Sequence, residues 1–372
     1  MALLSVRNVG KTFQGSRGEI AGLHEIDLEV EQGELISLLG PSGCGKTTTL
    51  RCIAGLESPD HGEIELDGQL MFARKDVGSR RTVEVPPERR GLAMVFQNYA
   101  LWPHMNVFNN VAFGLRNGRR SRTDIATMVE KALRNVQLWE HRDRRISQLS
   151  GGQQQRIAVA RAMAPDPKII LFDEPLSNMD TQLRENMRLE ILELQERMGL
   201  TSIWVTHDQQ EALGMSSRIV LMNAGRVEQV GTPTEVWNDP ASAFVAGFIG
   251  TTNRIAGTVV KDPDHGSSGL ALKVDETTTV SLPIGPDIAV GEKVSMFVRT
   301  GAMSLVASPS SEALNVWRVP LEVQSFHGDY TMAVVRFGGM RLTVRSDLPI
   351  VGSPESVYLH IEPSSIMVYP ES

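Results

Sequence analysis

Apolar positions along this chain follow two different rhythms, and the change between them falls near residue 238. Up to about Trp237, short apolar runs alternate with stretches of helical period, the pattern of an α/β domain. Leu35-Ile36-Ser37-Leu38-Leu39 reads as a buried strand; a Gly-rich turn follows, then a helix-like stretch from Thr47 to Ile53. Lys168 to Phe172 and Thr201 to Thr206 are also short and apolar, and each ends in polar residues. They predict parallel strands whose C-terminal ends carry chemistry. Between Pro86 and Ala164 the texture differs. Thr123 to Leu138 and Gln153 to Met163 have helical period and no strand is evident, which predicts a helical insertion over about 88–162. From Asp239 onward short alternating segments dominate: Lys293 to Arg299, Leu321 to Gln324, Met332 to Phe337, Arg341 to Arg345 and Val357 to Ile361. Gly285-Pro286, Gly338-Gly339 and Gly352-Ser353 separate them, the pattern of a small β-barrel or sandwich. The expected organisation is an α/β domain over 1–238 and a β-rich domain over 239–372.

The turn after Leu39 carries the first chemistry. Residues 40–47 read Gly-Pro-Ser-Gly-Cys-Gly-Lys-Thr, a phosphate-binding loop set between a strand and a helix. Gly40, Ser42, Gly43, Cys44, Gly45 and Thr48 belong to a backbone that curls its N–H groups around phosphate oxygens, with the positive end of the helix behind them. Lys46 can reach the β- and γ-phosphates, and Thr47 can place its hydroxyl on Mg²⁺. Such a loop binds a nucleoside triphosphate.

Bulk properties narrow the classes. The net charge of −7 argues against nucleic acid as the main partner, and the pairs Arg80-Arg81, Arg89-Arg90, Arg119-Arg120 and Arg144-Arg145 read as solvated faces. Apolar runs fall far short of the roughly 20 residues a spanning helix needs. Met1 to Phe13 lacks the form of a signal peptide. Work at a membrane is therefore expected through docking onto another protein. The two cysteines, Cys44 and Cys52, have no metal spacing. Cys44, inside the loop, is expected to hold its thiol close to bound nucleotide.

Ile169 to Glu174 is an apolar strand ending in two carboxylates. Asp173 is placed to hold Mg²⁺ through its water shell, and Glu174 to polarise the attacking water. Ser150-Gly151-Gly152-Gln153 opens a helix as a second anion cradle, with a plain N-cap as the simpler reading. One domain needs one phosphate loop, so a second cradle is surplus unless it serves another nucleotide or another chain.

Leu149-Ser150-Gly151-Gly152-Gln153, with the phosphate loop and the Asp-Glu strand, resembles the ATP-binding cassette family, a phosphate-loop NTPase core with a helical insertion. Gln97 resembles the family's glutamine loop, Leu176 to Asp180 the loop that crosses to the partner subunit, and His207 the switch histidine. Phe13 lies where the family places an aromatic that stacks on adenine. The resemblance implies a head-to-tail homodimer in which Ser150, Gly152 and Gln153 act in trans. Lys46, Thr47, Gln97, Asp173, Glu174 and His207 then act in cis, with Gln97 also toward the metal.

The match narrows to bacterial importer ATPases. Pro86 to Arg90 and Tyr99 to Met105 look like that group, and the all-β tail resembles its C-terminal regulatory (TOBE-like) domain. The resemblance implies two transmembrane permease subunits contacting about Tyr99 to Phe113, with Phe108 packing the insertion. It also implies an external solute-binding protein and a peripheral place on the cytoplasmic face of the inner membrane. Phe297 to Gly301 and Ile361 to Pro363 depart from the sugar-type pattern. Asn223 to Arg226, Gly231 to Pro233 and Phe248 to Gly250 look closer to polyamine and ferric-ion members. The rivals are a sugar-type importer ATPase, a soluble cassette ATPase working on DNA or ribosomes, and a GTPase or nucleotide kinase. No basic, zinc-bearing or coiled-coil insertion supports the second, and no guanine-selecting segment the third.

Overall fold

Leu35–Leu39 lies inside a six-stranded sheet whose order is Arg226–Gly231, Arg218–Asn223, Leu35–Leu39, Ser202–Thr206, Ile169–Asp173, Leu92–Val95. All neighbours are parallel except the first pair, an antiparallel hairpin. Leu35–Leu39, Ile169–Asp173 and Ser202–Thr206 are buried at every position, which is why each reads as a continuous apolar run rather than an alternation. The computed structural model describes residues 2–15, 18–75, 82–118, 120–262, 269–283, 288–306, 314–347 and 354–371. Arg80-Arg81, Arg119, Gly285-Pro286 and Gly352-Ser353 lie outside the described residues.

Three features of this part depart from the expectation. Leu92–Val95 is a strand within the stretch expected to be purely helical, and it pairs in register with Ile169–Phe172. Its four residues are too few to show a period, and its partner lies far along the chain. The helix expected to run to Leu138 ends at Asn135, because Gln137 turns into the left-handed region at φ 59°. A second, antiparallel sheet joins Gly18–Val30, Leu4–Gly15, His61–Leu66, Gln69–Arg74 and Val83–Glu84. Its inner face (Val6, Leu28, Ile64, Phe72) shares a core with Leu38, Leu50, Ile53 and Val205.

The helices Val107–Ala112, Arg122–Asn135 and Gly151–Met163 pack around Val111, Val129, Leu133 and Ile157, and this core continues to Met187 and Ile191 of the helix Thr181–Met198. Phe108 packs against it, as expected. So do Tyr99 and Leu101, while the Trp102 ring lies 3.9 Å from that of Phe113.

The chain divides into two compact units, Met1–Val236 and Trp237–Ser372. Within the second, apart from the short helix Ala243–Phe248, strands form two five-stranded antiparallel sheets around one core that includes Val259, Met296, Val335 and Leu359. Gly338 and Gly339, at φ 52° and 74°, make the tight turn that lets Phe337 face Met340 across the hairpin. Arg299, within the departure at Phe297 to Gly301, is engaged locally. Its guanidinium lies 3.8 Å from the Trp237 ring and donates to the carbonyls of Trp237 and Ile249.

Candidate nucleotide site

The phosphate loop takes its shape from close backbone approaches. A Cβ on Gly40 would come within 2.2 Å of the Met222 carbonyl oxygen, and Gly45 sits at φ 106° with the Gly22 carbonyl 2.9 Å from where a Cβ would be. Both positions therefore exclude any side chain. The helix Lys46–Ala54 starts directly at this turn, so its first N–H groups open into the loop. Lys46 is buried along its stem, and its ammonium donates to the carbonyls of Gly40 (2.7 Å) and Pro41 (3.0 Å). The loop thus presents a fixed positive charge at its mouth.

A cleft of about 320 Å³ opens there, lined by Phe13, Gly22, Ser42, Gly43, Gly45, Lys46, Thr47, Thr48 and Glu174. Cys44 is not among them. Its side chain is 2% exposed and belongs to the core, with Sγ 3.8 Å from Lys46 Nζ. The expectation of a thiol beside nucleotide is thereby corrected: the loop curls so that this side chain faces inward. Gly22, missed in the sequence, forms the seat of Phe13, since a Cβ there would meet the ring at 2.6 Å. The Lys11 ammonium lies 5.4 Å from that ring and is held by Glu57 at 3.0 Å and the Ser58 carbonyl at 2.8 Å.

Two strand ends bring the polar groups together. Thr47 donates its hydroxyl to Asp173 Oδ1 at 3.1 Å. Burial pushes the Asp173 carboxyl above the usual carboxylate range; the Thr47 hydrogen bond and the Arg51 charge pull it back, and Glu174 adds to the rise. Glu174 leaves the strand at φ 46°, its N–H donating to the Val205 carbonyl at 3.1 Å. That turn, uncommon for a residue with a Cβ, carries its carboxylate to His207, where Oε2 lies 3.1 Å from Nδ1.

Gln97 does not line the cleft. Its side-chain amide donates to Ser177 Oγ at 3.1 Å, and its own carbonyl accepts from Asn178 Nδ2 at 3.1 Å. Ser177 in turn donates to the Glu174 carbonyl at 2.9 Å. Ser177 and Asn178 therefore bridge the Gln97 loop to Glu174, a link that no local pattern discloses. Asp180 is a helix cap, accepting from the Leu183 N–H at 2.9 Å.

Ser150 to Gln153 do not line this cleft either. Ser150 and Gln153 form a reciprocal capping box on Gly151–Met163, so the simpler N-cap reading holds within one chain. Ser150 and Gly151 are nevertheless exposed, while a Cβ on Gly152 would press on Leu183 and Met187 at 3.3 Å. Among the described residues no cluster of three or more His, Cys, Asp or Glu could hold a metal, and no helix is long and apolar enough to cross a membrane.

The chain is also similar to known proteins over most of its length. A family description for ABC transporters matches residues 23–177. The spermidine/putrescine import ATP-binding protein PotA of Nitratidesulfovibrio vulgaris is 46% identical over 297 residues, covering 80% of this chain and 76% of that protein. The sn-glycerol-3-phosphate import ATP-binding protein UgpC of Bordetella avium is 42% identical over 349 residues, 93% of this chain and 89% of that one. Among solved structures, the dimeric bacterial ABC transporter cassette MJ0796 aligns with a TM-score of 0.52 at 31% identity, covering 62% of this chain and 98% of that chain. The same cassette is also known in a post-hydrolysis state bound to ADP and Pi. With a phosphate loop, a Thr47–Asp173 contact and a Glu174–His207 contact at one cleft, and with these likenesses, the chain belongs to the ABC transporter family as one of its ATPases.

Proposed function

We propose that this chain is the ATP-hydrolysing subunit of a solute importer and works as a head-to-tail pair. The observation that carries the reading is the split between the two cradles: Ser42, Gly43 and Gly45 to Thr48 line the cleft with Glu174, whereas Ser150 to Gln153 lie outside it with Ser150 and Gly151 exposed. A second chain whose cradle caps the γ-phosphate supplies the missing half. The γ-phosphate is then the contact that differs between open and closed pairs.

Within one cleft, Phe13 stacks on the base, the loop N–H groups and Lys46 bind the phosphates, and Glu174 takes a proton from the attacking water. His207 orients Glu174 through their 3.1 Å contact. The oxygen pair Thr47–Asp173 suits Mg²⁺, a hard cation that usually takes one or two protein oxygens beside phosphate and water. Thr47 and Asp173 would hold it, and Gln97 would do so only on leaving Ser177. When bound, the ion neutralises charge on the phosphates.

The seat of Phe13 gives a direct test of its role. Gly22→Ala displaces the ring and is expected to raise the KM for ATP about tenfold while leaving kcat within twofold, the mark of lost uniform binding. Steady-state kinetics over a range of ATP concentrations reads this out.

Tyr99 to Phe113 is the surface assigned to two membrane-embedded permease subunits, and an external binding protein would deliver the solute. Trp237–Ser372 is assigned as the regulatory domain. Identity of 46% to a polyamine-import subunit favours a polyamine as solute, with ferric ion as the related choice. A second reading, glycerol phosphate or another sugar-type solute, draws on the longer match to UgpC, 93% of this chain. Co-expression with its permease subunits, followed by reconstitution in vesicles, decides. ATP-dependent uptake of labelled spermidine supports the first reading and uptake of sn-glycerol-3-phosphate the second. Association with DNA or ribosomes without vesicle uptake refutes both.

A further inference from the structure

Two loops carry the groups assigned to hydrolysis, one bearing Glu174 and one bearing His207. Their side chains meet at 3.1 Å, yet the His207 side chain is 56% exposed, so packing alone does little to set that distance. Arg184, at the start of the helix Thr181–Met198, reaches both loops. Its Nη1 donates to Asp208 Oδ2 at 3.1 Å and its Nη2 to the Met179 carbonyl at 3.1 Å.

Each end of that bridge is itself fixed. Asp208 caps the helix Gln209–Met215, its Oδ1 accepting from the N–H groups of Gln210 (2.8 Å) and Glu211 (3.4 Å), and its own N–H donates to Thr206 Oγ1 at 2.9 Å. On the other side, the Met179 N–H donates to the Leu176 carbonyl and the Ser177 N–H to the Glu174 carbonyl, at 3.2 Å each. These turns wind the chain from Glu174 to Asp180, whose side chain starts the helix that bears Arg184. The guanidinium thus closes a ring of hydrogen bonds that runs from the residue after His207 to the loop after Glu174. A planar fork with two donors to two fixed acceptors sets a separation that a single point charge would not.

The geometry points to Arg184 as a positioning residue for hydrolysis: by bridging Asp208 and Met179 it holds His207 in register with Glu174. This rests on the roles given above to Glu174 and His207. A merely structural arginine would staple the helix to its neighbours and affect activity through folding alone. The two cases part in a double-mutant cycle.

The experiment measures kcat and KM for ATP in Arg184→Met, Arg184→Lys and Asp208→Asn, each with His207 intact and in a His207→Ala background. With His207 intact, Arg184→Met is expected to lower kcat about tenfold and to leave KM within about twofold, since the loss falls on the transition state. Arg184→Lys, which keeps the charge and one of the donors, is expected to recover about a third of the wild-type rate. In the His207→Ala background Arg184→Met is expected to cause no further loss. Asp208→Asn removes the same ion pair from the other side, and serves if Arg184→Met does not fold. An equal drop in kcat in both backgrounds overturns the proposal. So do wild-type rates in both Arg184→Met and Asp208→Asn beside a slow His207→Ala, a result that leaves the role of His207 standing. A wild-type rate in His207→Ala removes that role and the proposal with it.

Discussion

Glu174→Gln is expected to bind ATP, hold it in a stable dimer and fail to turn it over. The amide keeps the size of the side chain and can still meet His207 across their 3.1 Å contact, but it cannot take a proton from water. The φ of 46° at this residue costs the variant no more than the wild type, because the steric strain of the left-handed region comes from the Cβ that glutamate and glutamine share. A thousandfold fall in kcat corresponds to about 4 kcal/mol of transition-state stabilisation. ATP hydrolysis and solution mass, measured with and without Mg²⁺ beside the wild type, read out both halves. Near-normal hydrolysis by the variant would remove Glu174 as proton acceptor. A variant that stays monomeric with ATP beside an active wild type would instead count against closure by Ser150 to Gln153 in trans.

Lys46→Ala acts a step earlier. The ammonium is the fixed charge at the mouth of the loop, and its two bonds to the Gly40 and Pro41 carbonyls also tie the loop's entrance to its helix. Losing both is expected to weaken ATP binding about a hundredfold, or about 2.7 kcal/mol. Equilibrium binding of a fluorescent ATP analogue separates the two variants, since Glu174→Gln keeps its affinity and Lys46→Ala does not. Unchanged affinity with a lowered kcat would place the lysine's effect in the transition state alone.

What the sequence disclosed follows from the range of the forces involved. The strand, loop and helix from Leu35 to Ala54 were legible because their apolar run, glycines and Lys46-Thr47 are contiguous. The fully buried strands ending at Asp173 and Thr206 were legible for the same reason. Leu92–Val95 escaped because its strand character comes from pairing with Ile169–Phe172 rather than from its own pattern. The antiparallel sheet built on Leu4–Gly15 escaped in part because register shifts in its pairings break the regular alternation of sides. At the site, residue identities were readable but orientations were not. Cys44 turns inward because the loop's curl sets which side chains face the cleft. Gly22 beneath Phe13, and Ser177 between Gln97 and Glu174, are meetings of segments far apart in the chain.

The position of Ser150 to Gln153 outside the cleft has a kinetic consequence. In the head-to-tail pair proposed above each molecule carries half of two sites, so dilute protein should hydrolyse ATP at a rate that grows with the square of its concentration. Specific activity levels off only once pairs predominate. Two copies tethered side by side on one membrane assembly escape that dependence, because a flexible tether of short reach supplies an effective concentration on the order of millimolar. The membrane partners would in that way act as a scaffold that turns a bimolecular encounter into an intramolecular one.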